Sequence, residues 1–391
     1  MFKSILLIIG TLAAALWYMS PILKFPEPTG NYAVGTFDME FADASRKEIY
    51  SNNPNDNRNI VVHFYYPSSL KLRRTGPTEK NVNFEKAPYL GNKLPYFKKA
   101  VANSQHLPEF AGDILLRNIK THSYKNAPFS SDKDKYPVVL FSHGLLGLPS
   151  DTYISILEEL ASHGYIVAGI DHPYFNMLTL YSDGKMASSQ ALSTQFEKMS
   201  QKEQREFLSH AIEIYKQDNQ FIVNQFTALN ENPDSIFYHH IDLDQIGIMG
   251  HSAGGTAAIE TCRIDSRFKA CIDLDGWYDH VIGYKPIKQP LLLLFGSKSL
   301  EVEEPTQEYL AKKELTREQY FEREQKIAEH RKALCQSPKC QFIVIPDATH
   351  GDFGDVILFK WPLRSWNAVG SYKTLQLINT KIVQFFNTYL K

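Results

Sequence analysis

Residues 246–255 read Ile-Gly-Ile-Met-Gly-His-Ser-Ala-Gly-Gly: a short apolar run, a Gly-x-Ser-x-Gly pentapeptide centred on Ser252, and the start of a helical pattern that continues to Arg263. A serine in so short a strand-to-helix turn is held in strained backbone geometry, and the flanking glycines let the strand and the helix approach without clashing. The pentapeptide alone arises often by chance; its place between a strand and a helix is the specific part. Ser252 is therefore a candidate nucleophile, exposed at the carboxyl end of a strand.

The rest of the chain fits that frame. Apolar, β-rich runs occupy residues 60–66 (stopped by Pro67), 138–141, 165–170, 271–274, 291–295 and 342–345, with helical patterns over 153–163, 253–263 and 373–390. Strands alternating with helices imply βαβ units and an α/β fold, with a mostly parallel central sheet flanked by helices. A hydrophobic fraction of 43% can fill such a core. The 391 residues allow two compact domains or one large one; a single domain over 25–391, with insertions near 84–120, 174–240 and 301–335, is expected. In the second insertion Phe207, Ala211, Tyr215, Ile222, Phe226 and Leu229 keep helical spacing, a candidate lid. The third is charged and reads as a solvated helical excursion. The first is apolar enough to wall a pocket or touch a membrane. Lys and Arg number 42 against 43 Asp and Glu, so no overall field draws nucleic acid.

At the N-terminus Lys3 precedes an apolar run over residues 5–19 that ends in Trp-Tyr-Met, followed by Pro21 and Lys24. Residues 1–24 are expected to be an export signal or an uncleaved anchor, since Ala13-Ala14-Ala15 offers a cleavage site while Trp17, Tyr18 and Lys24 suit a membrane interface. The expected location is periplasmic or secreted. The four cysteines are too few for a disulfide scaffold, although Cys335 and Cys340 are close enough in sequence to bridge.

A serine hydroxyl needs a histidine base and a carboxylate to hold that base in the right tautomer. His350, after the last apolar strand and before the final helix, is the leading base; His280 and His330 do not follow that strand. His251, beside the nucleophile, reads as a packing residue. The acid remains open between Asp275, behind the run 271–274, and Glu301 or Glu303, behind the run 291–295, with Asp273 and Asp279 as weaker rivals. The oxyanion hole needs two backbone N–H groups, one from the residue after the nucleophile and one from an earlier strand–helix loop. Ala253 supplies the first and Leu145, in Ser142-His143-Gly144-Leu145-Leu146-Gly147, the second. His143 has no partner at a metal-ligand spacing and reads as loop support; His172 reads similarly, although its place after a strand leaves the pocket rim open to it. No metal or other cofactor is expected.

At these residues the chain resembles the platelet-activating factor acetylhydrolase family of α/β-hydrolases, the plasma-type and type II group. The likeness extends through Phe25-Pro-Glu-Pro-Thr-Gly-Asn-Tyr, Phe64-Tyr-Tyr-Pro-Ser, Lys135-Tyr-Pro-Val-Val-Leu-Phe-Ser-His-Gly-Leu, Leu160-Ala-Ser-His-Gly-Tyr and Gly250-His-Ser-Ala-Gly-Gly, in that order. Leu274-Asp275-Gly276-Trp277 is similar to the context of that family's acid, so the resemblance selects Asp275 over Glu301. It also implies His350 as base, Leu145 and Ala253 as oxyanion donors, and metal-free hydrolysis of short or oxidised sn-2 acyl chains of phospholipids, at or near a membrane surface. Departures are Ala253, where the animal enzymes usually carry a bulkier residue, the stretch Asp171-His-Pro-Tyr, and a longer insertion over 301–334. Two other readings are a general short-chain carboxylesterase and a membrane-tethered binding protein that keeps the fold without turnover.

Overall fold

The computed structural model describes residues 10–11, 25–70, 84–104, 107–116, 119–278, 287–358 and 370–391. Most of the apolar leader, together with Asp279 and His280, lies outside the described residues. Among those described, no helix is long and apolar enough to cross a membrane.

In chain order the strands are β1 (Ala33–Lys47), β2 (Asn57–Ser68), β3 (Lys86–Pro88), β4 (Lys120–Lys125), β5 (Tyr136–Ser142), β6 (Ile166–Asp171), the short pair β7 (Thr179–Leu180) and β8 (Met186–Ala187), β9 (Ile241–His251), β10 (Phe268–Leu274), β11 (Leu291–Gly296) and β12 (Cys340–Ile345). Ten of them form one sheet in the order β12-β11-β10-β9-β5-β6-β2-β1-β4-β3. From β6 to β12 the pairs are parallel, whereas β2 runs antiparallel to both β6 and β1.

The apolar runs are nearly continuous because the central strands are covered on both faces. Val138, Leu140, Ile248, Leu291 and Leu293 point to one core, with Ile222, Phe226, Ala258 and Ile259 from the helices Gln201–Glu231 and Ala253–Ile264. Val139, Phe141, Met249, Leu292 and Leu294 point to the other, against Leu157, Leu160, Ile378, Ile382 and Phe386 from the helices Ile154–Ser162 and Tyr372–Tyr389. The strand β1 is absent from the runs read in the sequence. Phe37, Met39 and Phe41 alternate with Asp38 and Glu40, the period-two signal of a half-buried strand that a search for unbroken apolar runs passes over.

Chain direction places the site. From β5 the chain passes through the helix Ile154–Ser162 to β6 on one side, returns through the helix Gln201–Glu231 to β9 on the other side of β5, and then moves outward to β12. The strand order reverses between β5 and β9, which opens a crevice at their carboxyl ends. Ser142 ends β5 and His251 ends β9, so the loop from His143 and the turn at Ser252 face each other across it.

The helix Gln201–Glu231 starts at a capping box formed by Ser200 and Glu203. Leu208, Ala211, Ile212 and Tyr215, in its first half, pack with Phe175 on Ala253 and Ala257, directly behind Ser252; its second half joins the sheet core. The charged helix Arg317–Leu334 buries only Ile327 and Leu334, as its composition implied. Two disulfides are formed: Cys335–Cys340, the pair close in sequence, and Cys262–Cys271, which fastens the end of the helix Ala253–Ile264 to β10 and which spacing did not reveal.

Candidate active site

Ser252 occupies φ 58°, ψ −126°, a backbone region that side-chain-bearing residues rarely adopt. Its N–H donates to Leu274 O on β10 at 3.0 Å, and the helix Ala253–Ile264 begins at the next residue. A Cβ on Gly254 would lie 2.2 Å from Ser142 O, so only glycine lets this helix pass so close to β5. The loop after β5 also comes near Ser252: a Cβ on Gly144 would stand 3.2 Å from Ser252 Cβ. The Leu145 and Ala253 N–H groups, the two expected oxyanion donors, make no hydrogen bond among the described residues.

His350 and Asp275 come together as expected, with Nδ1 2.6 Å from Oδ2. The Asp275 side chain is 3% exposed and that of His350 51%. Asp275, itself at φ 54°, is fixed by its N–H to Leu294 O at 2.8 Å and by the Gly296 N–H to its Oδ1 at 3.0 Å. Burial pushes its pKa up, but the bond and charge of His350 and the Gly296 amide overcome this and hold the carboxyl below its ordinary value. The rivals are placed elsewhere. Asp273 turns beneath the elbow, where Oδ2 accepts the Gly276 N–H and the Tyr278 hydroxyl. Glu301 is on the surface, paired with Lys298 at 2.9 Å, and Glu303 is exposed. His330 lies on the charged helix Arg317–Leu334.

His251 does more than pack. Its Nε2 lies 3.0 Å from His350 O and its Nδ1 2.9 Å from the Tyr153 hydroxyl, while the His251 and His350 rings stand 4.6 Å apart. A carbonyl only accepts, so Nε2 carries the proton and Nδ1 accepts from Tyr153. Burial and the neighbouring His350 push its pKa down to about 3, which keeps it neutral. The turn at Ser252 is thereby tied to the loop bearing His350. No hydrogen bond joins the Ser252 hydroxyl to the His350 ring among the described residues; such contacts tighten when substrate binds.

His172 is fully buried, in line with a supporting role and not with the alternative place on the pocket rim. Its Nδ1 donates to Asp218 Oδ2 at 2.8 Å, and Asp218 also accepts from Arg58 at 2.7 Å and Arg46 at 2.9 Å. Its Nε2 lies 3.1 Å from Ser142 Oγ, which donates to Asn219 Oδ1 at 3.0 Å. Sequence reasoning missed this network because its members come from β1, β2, β5, the loop after β6 and the long helix. A charged Asp218 inside an otherwise apolar helical stripe was the available signal.

Among the described residues one group of side chains has metal-ligand geometry, His63, Asp151 and Asp171. The Lys93 ammonium already lies among them, 2.8 Å from Asp171, 3.0 Å from Asp151 and 3.3 Å from His63 Nε2. The cluster borders a cavity of about 610 Å³ lined by β1, β2 and the segment Ala87–Lys93 rather than by Ser252, Asp275 or His350.

Strand order, a strained serine at the switch point, and an acid and histidine behind later strands are those of an α/β-hydrolase. A ferulic acid esterase from Streptomyces cinnamoneus has the same fold, with a TM-score of 0.65, 22% identity, and coverage of 95% of this chain and 94% of that one. The model of the family Platelet-activating factor acetylhydrolase, isoform II, matches residues 18–391, and the chain belongs to that family. Platelet-activating factor acetylhydrolases from Cavia porcellus and Bos taurus are each 28% identical to it over 69% of this chain. A probable 1-alkyl-2-acetylglycerophosphocholine esterase from Arthroderma benhamiae is 28% identical over 68%. The chain spans 59% and 60% of the two animal proteins and 64% of the fungal one.

Proposed function

We propose that this chain is a serine esterase that hydrolyses the sn-2 ester of phospholipids, with short or oxidised acyl chains preferred, and that it works outside the cytoplasm at a membrane surface. The observation that carries the reading is the 2.6 Å bond between His350 Nδ1 and Asp275, across from a serine in an elbow, in a chain of this family.

Because the Asp275 carboxylate only accepts, Nδ1 of His350 holds its proton and Nε2 keeps its lone pair. In this reading Nε2 takes the proton of Ser252 as Oγ bonds to the ester carbon. The carbonyl oxygen becomes an oxyanion, to which Leu145 and Ala253 donate, aided by the partial positive charge at the start of the helix Ala253–Ile264. Collapse breaks the bond to the lysolipid oxygen, which leaves with the proton from His350. Water, deprotonated by the same nitrogen, then cleaves the acyl-serine.

A fluorophosphonate probe and a panel of phosphatidylcholines with acetyl to palmitoyl sn-2 chains, products read by mass, test this directly. Labelling of Ser252 with turnover greatest on the shortest chains is expected. Turnover of simple esters but not phospholipids would make the protein a general carboxylesterase, and absence of labelling a non-catalytic fold.

A further inference from the structure

His143 is buried in the loop after β5 and, among the described residues, makes no hydrogen bond or ring contact with Ser252 or His350. Its ring is held from both sides. The His172 backbone N–H donates to Nε2 at 3.0 Å, and Asn176 Nδ2 lies 3.3 Å from the same nitrogen. A nitrogen that accepts carries no proton, so the proton resides on Nδ1, which lies 2.8 Å from Gly144 O and donates to it. Tyr215 covers the ring, its hydroxyl 3.4 Å from Nδ1. The ring cannot serve as a charged group: burial, with His172 alongside, pushes its pKa down to about 3.

Gly144 C=O and Leu145 N–H belong to one planar peptide unit and point in opposite directions across it. Fixing the carbonyl therefore fixes the amide. The loop needs such a device, because Leu146 sits at φ 57° and a Gly at 144 leaves the preceding torsions free. The far side of the loop is pinned separately, by Leu146 N–H to Phe175 O at 2.7 Å and Met177 N–H to Gly147 O at 2.7 Å. Between these anchors, only the His143 ring holds the Gly144–Leu145 peptide plane among the described residues.

We infer that neutral His143, in its Nδ1–H tautomer, is a positioning residue that aims the Leu145 N–H at the developing oxyanion by gripping the carbonyl of the same peptide. His172 and Asn176 set that tautomer from behind, which gives the buried His172–Asp218–Arg58 network a role in the reaction. The inference rests on Ser252 acting as nucleophile.

The test compares His143→Ala and His143→Asn with the unaltered protein. Asparagine places an amide donor near the position of Nδ1, and alanine places none. For His143→Ala, kcat should fall by roughly 10²–10³-fold, the cost of losing one oxyanion donor, with KM changed less than threefold. Affinity for a trifluoromethyl ketone that forms a tetrahedral adduct on Ser252 should fall in parallel. His143→Asn should recover at least a tenth of the lost kcat. Titration with fluorophosphonate counts folded sites, so a variant that merely misfolds shows fewer sites rather than slower ones. In the unaltered protein the ring nitrogen NMR shifts should report protonated Nδ1 and bare Nε2 from pH 5 to 8. A kcat within threefold for His143→Ala, equal losses in the alanine and asparagine variants, or an Nε2–H tautomer would overturn the inference. Loss of the Ser252 reading is distinguishable: Ser252→Ala would then retain turnover, whatever the His143 variants do.

Discussion

Asp273 is buried completely two residues before Asp275, and replacing it with asparagine should stabilise the protein in a way that grows with pH. Burial raises its pKa to about 7; the Tyr278 hydrogen bond opposes this and the Asp275 charge adds to it. In the unfolded chain the same group ionises near its ordinary value of 3.8. Between those two values the unfolded state releases a proton that the folded state retains, so stability falls as pH rises from about 4 to about 7 and then levels off. At about 1.4 kcal/mol per unit, three units amount to about 4 kcal/mol, a ceiling that local relaxation around the carboxylate lowers. Asparagine cannot ionise, and its amide oxygen can accept from Gly276 N–H and Tyr278 as Oδ2 does. Urea unfolding of both proteins at pH 5, 6, 7 and 8 measures the gap. The variant's advantage should increase by about 1 kcal/mol per unit up to pH 7 and then stop rising. A constant gap, or one that shrinks with pH, would refute the assignment of a protonated Asp273 under the elbow.

Asp275→Asn should lower kcat by about 10⁴-fold, because the amide holds His350 in the wrong tautomer, while Glu301→Gln should stay within about twofold; the reverse ranking in matched kinetics would move the acid to the surface loop after β11. Arg58→Met removes the cation that Asp218 and Glu48 share at 2.7 Å each, and stability at pH 7 should drop by about 3–5 kcal/mol. A loss below 1 kcal/mol by chemical denaturation would mean that the network is solvated or redundant. Hydrolysis should be unchanged in EDTA, since a serine mechanism needs no ion on the carbonyl and Lys93 already compensates Asp151 and Asp171; activity lost to the chelator and restored by calcium would contradict this.

Much of the site was legible in the chain because its parts are local. A Gly-x-Ser-x-Gly between a strand and a helix can make little besides the turn at Ser252, and the residue behind it, Ala253, must then start a helix with a free N–H. The unbroken apolar runs announced strands covered on both faces, since alternation disappears when both sides are buried. What spacing left undecided was which strand end delivers the acid, because Asp275 and Glu301 stand at equivalent places in sequence. In the folded chain the Gly296 amide on β11 and the His350 ring both bond to Asp275, while Glu301 pairs with Lys298 on the surface, and neither Gly296 nor His350 is near Asp275 in the chain. Whether His172 supports the loop or reaches the rim was open in the sequence for the same reason: its partner Asp218 lies 46 residues away, and burial of a histidine is read only once that partner is in view. The sequence by itself determined the turn at Ser252, the sheet and the chemistry to look for, since these depend on neighbours a few residues apart. Only the folded chain set the tautomers of His143, His251 and His350, because each ring's proton is placed by donors and acceptors that other strands and helices bring to it.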